Sequence, residues 1–386
     1  MKKRLLFIQY CGFTAIGLGS GVLGPLLPAV AADLGINYSQ AGIFLAAQFF
    51  GSLIAELSGG PLADRFGKKL FLLAGGLLIL AGAAGCALAA DYPLLLVWNA
   101  LLGAGLAIYN VGINALCADS TAGGKGRAMN FLHFFFGAGS ILAPLLAAFC
   151  LQVFGSWRAG FGLLTVLPFL VLLALLNVKT APGERAATAP ESSPYRDGFL
   201  WSAGLFTFFY VGLEVSMGGW ITAFWSQLAP RGPFSPQWMA TLFWAALTAG
   251  RLICGRVVDR VGFSAYIIAA SCGTLLLSLC WYLWPVGWVT ALATAGIGLT
   301  LAGIFPTMMA ALTGCFPGST GKVAALITVC ADLGGFLIVP VVGRFADWLG
   351  FAVFPAVILG LAAALTLIAY PVWGVIRKYR LESMEI

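Results

Sequence analysis

Long apolar segments alternate with short polar stretches along the chain, and each is close to the roughly 20 residues that a helix needs to cross a bilayer. Their length and spacing predict an all-α membrane protein with twelve transmembrane helices. The predicted helices occupy residues 5–31, 40–62, 69–90, 93–117, 127–153, 158–178, 199–228, 236–258, 263–284, 287–313, 322–346 and 351–376.

A polar stretch separates the first six segments from the last six. It is rich in Pro, Ala, Glu and Ser and has no apolar period, which is typical of a flexible linker. We predict an N-terminal six-helix bundle over 1–178, a cytoplasmic linker over 179–198 and a C-terminal six-helix bundle over 199–386. The first segment follows a basic start, as in a secretory signal. However, it is longer than the roughly 7–15 apolar residues of a signal, so we expect a retained helix.

Composition supports a membrane protein and argues against several other classes. Of the 386 residues 61% are hydrophobic and 9% are charged, whereas soluble domains carry about 25% charged residues. The nine cysteines form no C-x-x-C pair and there is a single histidine, so we expect neither a disulfide framework nor a metal site. No phosphate-binding loop and no nucleophile–base constellation occurs, so we expect no enzyme, no ATP drive and no cofactor.

The basic residues indicate how the chain is oriented. If the N-terminus is cytoplasmic, 17 of the 21 Lys and Arg residues fall in cytoplasmic segments. This asymmetry predicts both termini and the linker on the cytoplasmic side of the cytoplasmic (inner) membrane. The same bias accounts for the net charge of +7, so the charge gives no reason to expect a nucleic-acid partner. We expect the lipid bilayer and a small-molecule substrate as partners, and a monomer.

An internal repeat links the two halves. When the chain is shifted by 195 residues, "GPLADRFG" at 60–67 lies over "GRVVDRVG" at 255–262. The same shift places Gly139 over Gly334. A parallel duplication of a six-helix unit is typical of transporters whose substrate site lies at the midplane between the halves.

The first copy of the repeated loop continues as "GPLADRFGKK" over 60–69. This order of residues resembles the loop 2–3 signature of the major facilitator superfamily, and the second copy resembles the partner loop between helices eight and nine. With twelve helices and an internal linker, the resemblance covers the whole chain. It implies two pseudo-symmetric six-helix bundles that work by alternating access.

The resemblance also implies that these loops form a conformational latch. Asp64 would accept hydrogen bonds at the N-terminus of the eleventh helix, near Gly321, where the helix dipole favours an anion. Gly67 permits a turn that a side chain would penalise. A plain charged turn would explain the basic residues alone. The predicted latch comprises Gly60, Asp64, Arg65, Gly67, Lys68, Gly255, Asp259 and Arg260, with Glu56 and Arg251 at equivalent positions four residues before each motif, where local pairing is the alternative.

Two helices narrow the resemblance further. "FFYVGLEVSMGGWITAFW" at 208–225 and "GAGLAIYNVGINAL" at 103–116 resemble the fucose-permease-like sugar symporters. That branch implies a monosaccharide moved with a proton or, as the alternative, with sodium. The chain departs from the branch where Gly24 and Asn110 stand at positions that carry carboxylates there, so any coupling uses other groups.

Ionisable residues inside membrane helices are costly and therefore mark candidate sites. For ion coupling the candidates are Glu214, Asp332 and His133, because a carboxylate or imidazole shielded from water can exchange a proton near neutral pH. For substrate binding they are Gln48, Asn110, Asn114, Glu214 and Trp220. Asn110 and Asn114 share one helix face, and "MGG" at 217–219 favours a break before Trp220. Structural hydrogen bonding or interfacial placement is the alternative for each.

The sequence therefore predicts a secondary active transporter of a small polar solute, with a sugar as the expected class and proton symport as the expected coupling. The alternative is an exporter of amphipathic compounds or drugs by proton antiport. The fifth helix reads "FFFGAGSILAPLLAAF" at 134–149 and lacks a Gly-Pro pair followed by paired glycines, which argues modestly against export. A membrane sensor would need a soluble output domain, and the longest loop is a short linker.

Overall fold

The computed structural model describes residues 2–120, 125–177, 194–228, 235–316 and 319–382. Within these ranges the side chains of residues 2, 59–66, 118–120, 125–128, 130 and 373–382 are not described. The helices of this part are α1 Lys2–Gly21, α2 Leu23–Leu34, α3 Tyr38–Phe66, α4 Lys68–Leu88, α5 Tyr92–Ser120, α6 Lys125–Val153, α7 Trp157–Leu164, α8 Val166–Leu176, α9 Gly198–Leu228, α10 Gln237–Val261, α11 Phe263–Leu283, α12 Gly287–Leu301, α13 Ile304–Cys315, α14 Thr320–Leu349 and α15 Phe354–Glu382. Short 3-10 turns cover Pro194–Arg196 and Phe351–Val353.

The predicted all-α membrane fold is confirmed. Among the described residues, 11 helical stretches are long and apolar enough to cross a bilayer, and α1 with α2 supplies a twelfth as a bent pair. Most of the predicted linker lies outside the described residues, and its last part forms the Pro194–Arg196 turn.

The predicted first helix over 5–31 is a bent pair, because α1 and α2 meet at Val22 with a bend of 43°. The predicted helices 158–178 and 287–313 are also interrupted, at Thr165 and at 302–303. A proline follows each break: Pro25, Pro168 and Pro306. Proline has no N–H to donate to the carbonyl four residues earlier, and its ring crowds that carbonyl. In each case that carbonyl lies at the break or next to it.

The internal repeat is visible in the packing. Gly139 lets α6 approach α1 so closely that a Cβ there would lie 2.3 Å from the Thr14 carbonyl oxygen. Gly334, its repeat equivalent, lets α14 approach α9, where a Cβ would lie 2.1 Å from the Phe208 carbonyl oxygen. Small residues at such contacts are how membrane helices pack closely without a hydrophobic driving force between them.

Two faces of the molecule are distinguished by side-chain contacts. At the face where α8 ends and α9 begins, here called the linker face, Lys69 Nζ donates to the Leu176 carbonyl at 3.1 Å. At the opposite face, called the far face, Asp33 accepts hydrogen bonds from Arg158 and from the Trp157 indole. Consecutive spans thus run in alternating directions between these faces.

In the described part the two halves touch mainly along three helix pairs, α2 with α9, α3 with α14, and α6 with α10, and α2 also touches α10. A Cβ on Gly24 of α2 would lie 2.3 Å from the Gly218 carbonyl oxygen of α9. On α14, a Cβ on Gly343 would lie 2.2 Å from the Tyr38 carbonyl oxygen. Both contacts lie toward the far face, so the halves are packed together there.

Candidate functional site

A charged pair lies near the middle of the bundle. Glu214 of α9 and Arg251 of α10 form an ion pair with a nitrogen–oxygen distance of 3.6 Å. Their side chains are 11% and 23% exposed, so solvent-accessible space still reaches both. The distance exceeds that of a tight charge-assisted hydrogen bond, which is about 2.7–2.9 Å. A small polar molecule can therefore compete for either partner.

Side chains from the other half complete this cluster. The Arg251 guanidinium lies 5.7 Å from the centre of the Phe136 ring of α6, within range of a cation–π contact. His133 lies one turn earlier on α6 and keeps some exposed surface although protein surrounds it. Its imidazole interacts electrostatically with Arg251 and packs edge-on against the Phe13 ring, with the ring centres 5.1 Å apart. The buried Tyr210 hydroxyl of α9 interacts with both members of the pair. The structure thus brings Glu214, Arg251 and His133 together.

One face of α10 carries three hydrogen-bonding groups that have no hydrogen-bond partner among the described residues. The Trp244 Nε1, Thr248 Oγ1 and Arg251 Nε atoms are buried and unbonded. Spacings of four and three residues place them on one face of the helix. Buried polar groups are nearly always bonded, so an unpaired set of this kind indicates a place where a ligand or water binds.

Trp244 and Thr248 were missed by the sequence analysis. The signal was available as polar atoms at i, i+4 and i+7 in an otherwise apolar helix. However, a threonine in an apolar helix can also bond only its own helix, as Thr207 does when it donates to the Ala203 carbonyl at 2.8 Å. Only the tertiary structure distinguishes the two cases.

The other predicted substrate residues lie apart from this cluster. Gln48 is 4% exposed and donates to the Gly19 carbonyl at 3.1 Å. Asn114 donates to Asn110 at 2.9 Å, so the two amides share a face as predicted. Trp220 has no exposed surface and donates to the Val339 carbonyl of α14.

Trp220 and Glu214 point to different sides of one continuous helix. The expected break at 217–219 is wrong, because α9 runs unbroken through it. Here Gly218 faces the Trp244 ring and Gly219 faces Leu45, so these glycines serve close packing. Trp220 therefore stays in the contact with α14 and away from the charged pair.

Asp332 and Glu56 lie together, away from Glu214. Their carboxyl groups are within hydrogen-bonding reach of each other across the contact between α3 and α14. Glu56 and Arg251 occupy equivalent positions in the repeat. However, Glu56 faces the Asp332 carboxyl group, whereas Arg251 forms an ion pair with the Glu214 carboxylate.

The predicted latch is only partly within the described side chains. Gly60, Asp64 and Arg65 lie outside them, in the stretch 59–66. The turn glycine Gly67 has φ of +79°, a conformation that side chains disfavour, and its repeat equivalent Gly262 has φ of +83°. In the second copy, Asp259 and Arg260 are exposed at the end of α10, and a Cβ on Gly255 would meet open space.

Asp347 of α14 joins the two halves at the far face, in a contact that the sequence did not predict. Its carboxylate accepts hydrogen bonds from the backbone N–H groups of Tyr38 at 2.9 Å and Ser39 at 2.8 Å, and from the Ser39 hydroxyl. A carboxylate of α14 thus caps the N-terminus of α3 across the two halves, where the helix dipole favours a negative charge. Gln227 of α9 also donates to the Tyr38 hydroxyl.

Among the described residues, no group of three or more His, Cys, Asp or Glu side chains is placed to hold a metal ion.

Comparison with known proteins identifies the fold. The architecture matches a D-xylose-proton symporter of known structure with a TM-score of 0.80, at 15% identity, over 96% of this chain and 97% of that one. The family model of the Major Facilitator Superfamily matches residues 10–338. The chain belongs to the major facilitator superfamily, as its loop signature predicted, and is a multi-pass membrane transporter.

Two curated relatives show how broad the similarity is. The chain is 24% identical to sodium-dependent glucose transporter 1A of Mus musculus over 380 residues, which cover 87% of this chain and 88% of the relative. It is 29% identical to the quinolone resistance protein NorA of Staphylococcus aureus over 181 residues, 46% of each chain. The first similarity spans nearly the whole transporter, and the second spans about half of it.

Proposed function

We propose that this transporter moves a small polar solute of the sugar class by proton-coupled symport and alternating access. The unpaired hydrogen-bonding face of α10, next to Glu214, is the observation that carries the proposal. Full-length similarity to a glucose transporter and the fold shared with a xylose symporter support it.

The donor and acceptor types of the cluster suit a hydroxylated solute. A sugar hydroxyl both donates and accepts, so it can accept from the Trp244 and Arg251 N–H groups and donate to the carbonyl oxygen of the protonated Glu214 carboxyl group. The Thr248 hydroxyl can act in either way. The Phe136 ring on α6, 5.7 Å from the Arg251 guanidinium, offers apolar surface for the sugar's C–H face. An amphipathic cation would leave the N–H donors of α10 unpaired, which costs binding free energy.

Coupling follows from competition for Glu214. When Glu214 is ionised, it pairs with Arg251; when it takes a proton, Arg251 is freed to bond the solute. Solute and proton then favour each other's binding, which is the thermodynamic requirement for symport. His133 lies near the charge of Arg251 and is the next candidate for the coupling group. Asp332 belongs to a separate pair with Glu56. A sodium ion in place of the proton is the alternative coupling ion.

The rest of the proposal concerns orientation and the latch. The bias of Lys and Arg places the linker face in the cytoplasm of a cell with an inner membrane. The signature loop at 60–69 would then stabilise the state in which the linker face is closed. We propose a monomer with bundle boundaries as predicted from the sequence.

The proposal is tested with purified protein in proteoliposomes challenged with a panel of monosaccharides, with and without sodium. We expect a sugar to evoke current and proton uptake without sodium. Glu214→Gln should abolish uphill accumulation and preserve exchange of labelled for unlabelled sugar, because the amide cannot carry the proton. Thr207→Val is the matched control, since its hydroxyl bonds only its own helix. Undiminished uphill accumulation in Glu214→Gln would exclude this residue as the coupling group.

A second candidate is export of amphipathic compounds by proton antiport. The observation that favours it is the similarity to NorA, at 29% identity over 181 residues. In the same proteoliposomes, lipophilic cations would then drive proton movement in the direction opposite to their own. A response to such cations together with silence toward every sugar would replace the sugar proposal.

A further inference from the structure

Two acidic side chains from opposite halves face each other where α3 packs on α14. Glu56 lies in the last third of α3, and Asp332 lies on the linker side of the middle of α14. Their carboxyl groups are within hydrogen-bonding reach of each other. In addition, the Glu56 Oε2 and Asp332 Oδ2 atoms are fully buried and have no hydrogen-bond partner among the described side chains.

No basic side chain in the described part neutralises this pair. The interactions of the two carboxyl groups with ionisable groups there are with each other alone. This contrasts with Glu214, which has Arg251. The helices of the pair and those packed against them carry other ionisable residues, and none of those with described side chains interacts with the pair. They are Asp33 of α2; Tyr38 of α3; Lys68, Lys69 and Cys86 of α4; Tyr92, Tyr109 and Cys117 of α5; Tyr210 and Glu214 of α9; Cys315 of α13; Lys322, Cys330, Arg344 and Asp347 of α14; and Tyr370 of α15. The side chains of Asp64, Arg65, Asp119, Arg377, Lys378, Tyr379, Arg380 and Glu382 lie outside the description.

An aromatic layer separates the pair from the far face. Phe50 of α3 and Phe336 of α14 have ring centres 5.6 Å apart. Next to them, the Phe49 ring fills the space that a Cβ on Gly335 would need. Phe336 and Phe50 lie roughly 6 and 9 Å along their helices from Asp332 and Glu56, at about 1.5 Å per residue. The rings thus cover the far-face side of the pair.

Two carboxylates in contact in an apolar surrounding cannot both keep their charge. Moving each charge out of water is costly, and the two repel each other, with no described side chain supplying a cation to offset them. A single proton removes both problems, since it neutralises one carboxyl group and lets it donate a hydrogen bond to the other. Acidic pairs that share one proton in this way are known in aspartic proteases.

We propose that Glu56 and Asp332 form a proton-binding site that holds one shared proton across the contact between the two halves. With the proton present, the pair is a hydrogen bond joining α3 to α14. When the proton leaves toward the linker face, two like charges remain on facing helices, and the contact between the halves is weakened. Proton occupancy would thus bias the rocking of the bundles. That this proton travels with the solute rests on the proposed function, whereas its binding here does not.

The test is infrared difference spectroscopy of the purified, lipid-reconstituted protein titrated with acid and base in the absence of any solute. The carbonyl stretch of a protonated carboxylic acid is resolved from the bands of a carboxylate. We expect the wild type to lose the band of one carboxylic acid as pH rises through a defined midpoint. In Glu56→Gln the amide donates to Asp332 without a proton, so this band should disappear from the titration. Asp332→Asn should have the same effect.

Two further variants keep the test interpretable. Asp332→Glu retains two carboxyl groups and should shift the midpoint and keep the band, which separates proton sharing from loss of fold. Asp91→Asn removes an exposed acid that caps α5 and should titrate like the wild type. The proposal is overturned if Glu56→Gln and Asp332→Asn leave the band unchanged. It is also overturned if sodium at constant pH removes the band as pH does, since the pair would then be a sodium site. Because no solute is present, neither outcome depends on identifying the sugar.

Discussion

Arg251 and Glu56 show how far the repeat determines the environment of a single residue. Each lies four residues before the first glycine of its motif, and the shift of 195 residues superposes them. Arg251 is paired with Glu214 on the neighbouring helix of the same half, whereas Glu56 meets Asp332 of the other half. Equivalent backbone positions therefore serve an ion pair in one half and a carboxyl pair in the other.

The hydrogen-bonding face of α10 gives a prediction for one hydroxyl. Thr248→Val keeps the shape of the side chain and removes a hydroxyl that has no hydrogen-bond partner in the described part of the chain. Loss of a hydrogen bond to solute should cost about 0.5–1.5 kcal/mol, or roughly a twofold to tenfold weaker sugar affinity. Equilibrium binding of labelled sugar measures this change. The matched variant Thr207→Val should leave the affinity as it is, and an equal fall in both variants would argue against a direct contact.

At the level of helices, proline and glycine act in different ways. Pro25, Pro168 and Pro306 each follow a break, but Pro144 and Pro340 lie inside continuous helices. Neighbouring helices hold α6 and α14 straight enough to tolerate the missing N–H, as is common in membrane bundles. The glycines at 139 and 334 instead set the distance between helices.

Gly334 gives a prediction about packing. Gly334→Ala would place a Cβ 2.1 Å from the Phe208 carbonyl oxygen, so α14 must move away from α9. Overpacking of this kind typically costs about 1–3 kcal/mol, and the Tm in detergent should fall. Gly360→Ala is the matched control, because open space surrounds that position and alanine favours a helix by up to about 1 kcal/mol. A Tm of Gly334→Ala at or above that of Gly360→Ala would contradict the close contact.

For the whole molecule, α3 and α14 are antiparallel partners with an acidic residue at the end of each. Asp347, near the end of α14, caps the start of α3 at the far face. The sequence predicts that Asp64, near the end of α3, does the same for the start of α14 at the linker face. The two contacts would then be alternatives, each stabilising one of the two states that alternating access requires.

Asp347→Ala should therefore open the far face. Loss of a helix cap costs about 0.5–2 kcal/mol, which changes the ratio of closed to open molecules by about twofold to thirtyfold. Pulsed electron spin resonance between labels replacing Leu88 and Trp348, both exposed near the far face, measures the shift. Asp347→Asn keeps a capping oxygen and should lie between the wild type and Asp347→Ala. Identical distance distributions in all three proteins would show that Asp347 does not stabilise the closed far face.

The sequence by itself determined the number of spans, the duplication, the family and the glycines of the two loop turns. These follow from local composition and from short motifs, since an apolar segment must be helical in lipid and Gly67 and Gly262 need a backbone that side chains disfavour. Asn110 and Asn114 could also be placed on one face, because their spacing alone decides it.

The tertiary structure alone decided which polar groups meet. Glu56 and Asp332, Tyr38 and Asp347, and Glu214 and Arg251 join different helices, and the first two pairs join different halves. No local pattern encodes such a pairing, because it depends on the relative rotation and depth of packed helices. The burial of Trp220 against α14 likewise depends on the tertiary structure. It requires an unbroken α9, whereas the glycines at 218 and 219 favoured a break. The roles of these groups depend on their partners, and the partners are set by the packing of the two halves.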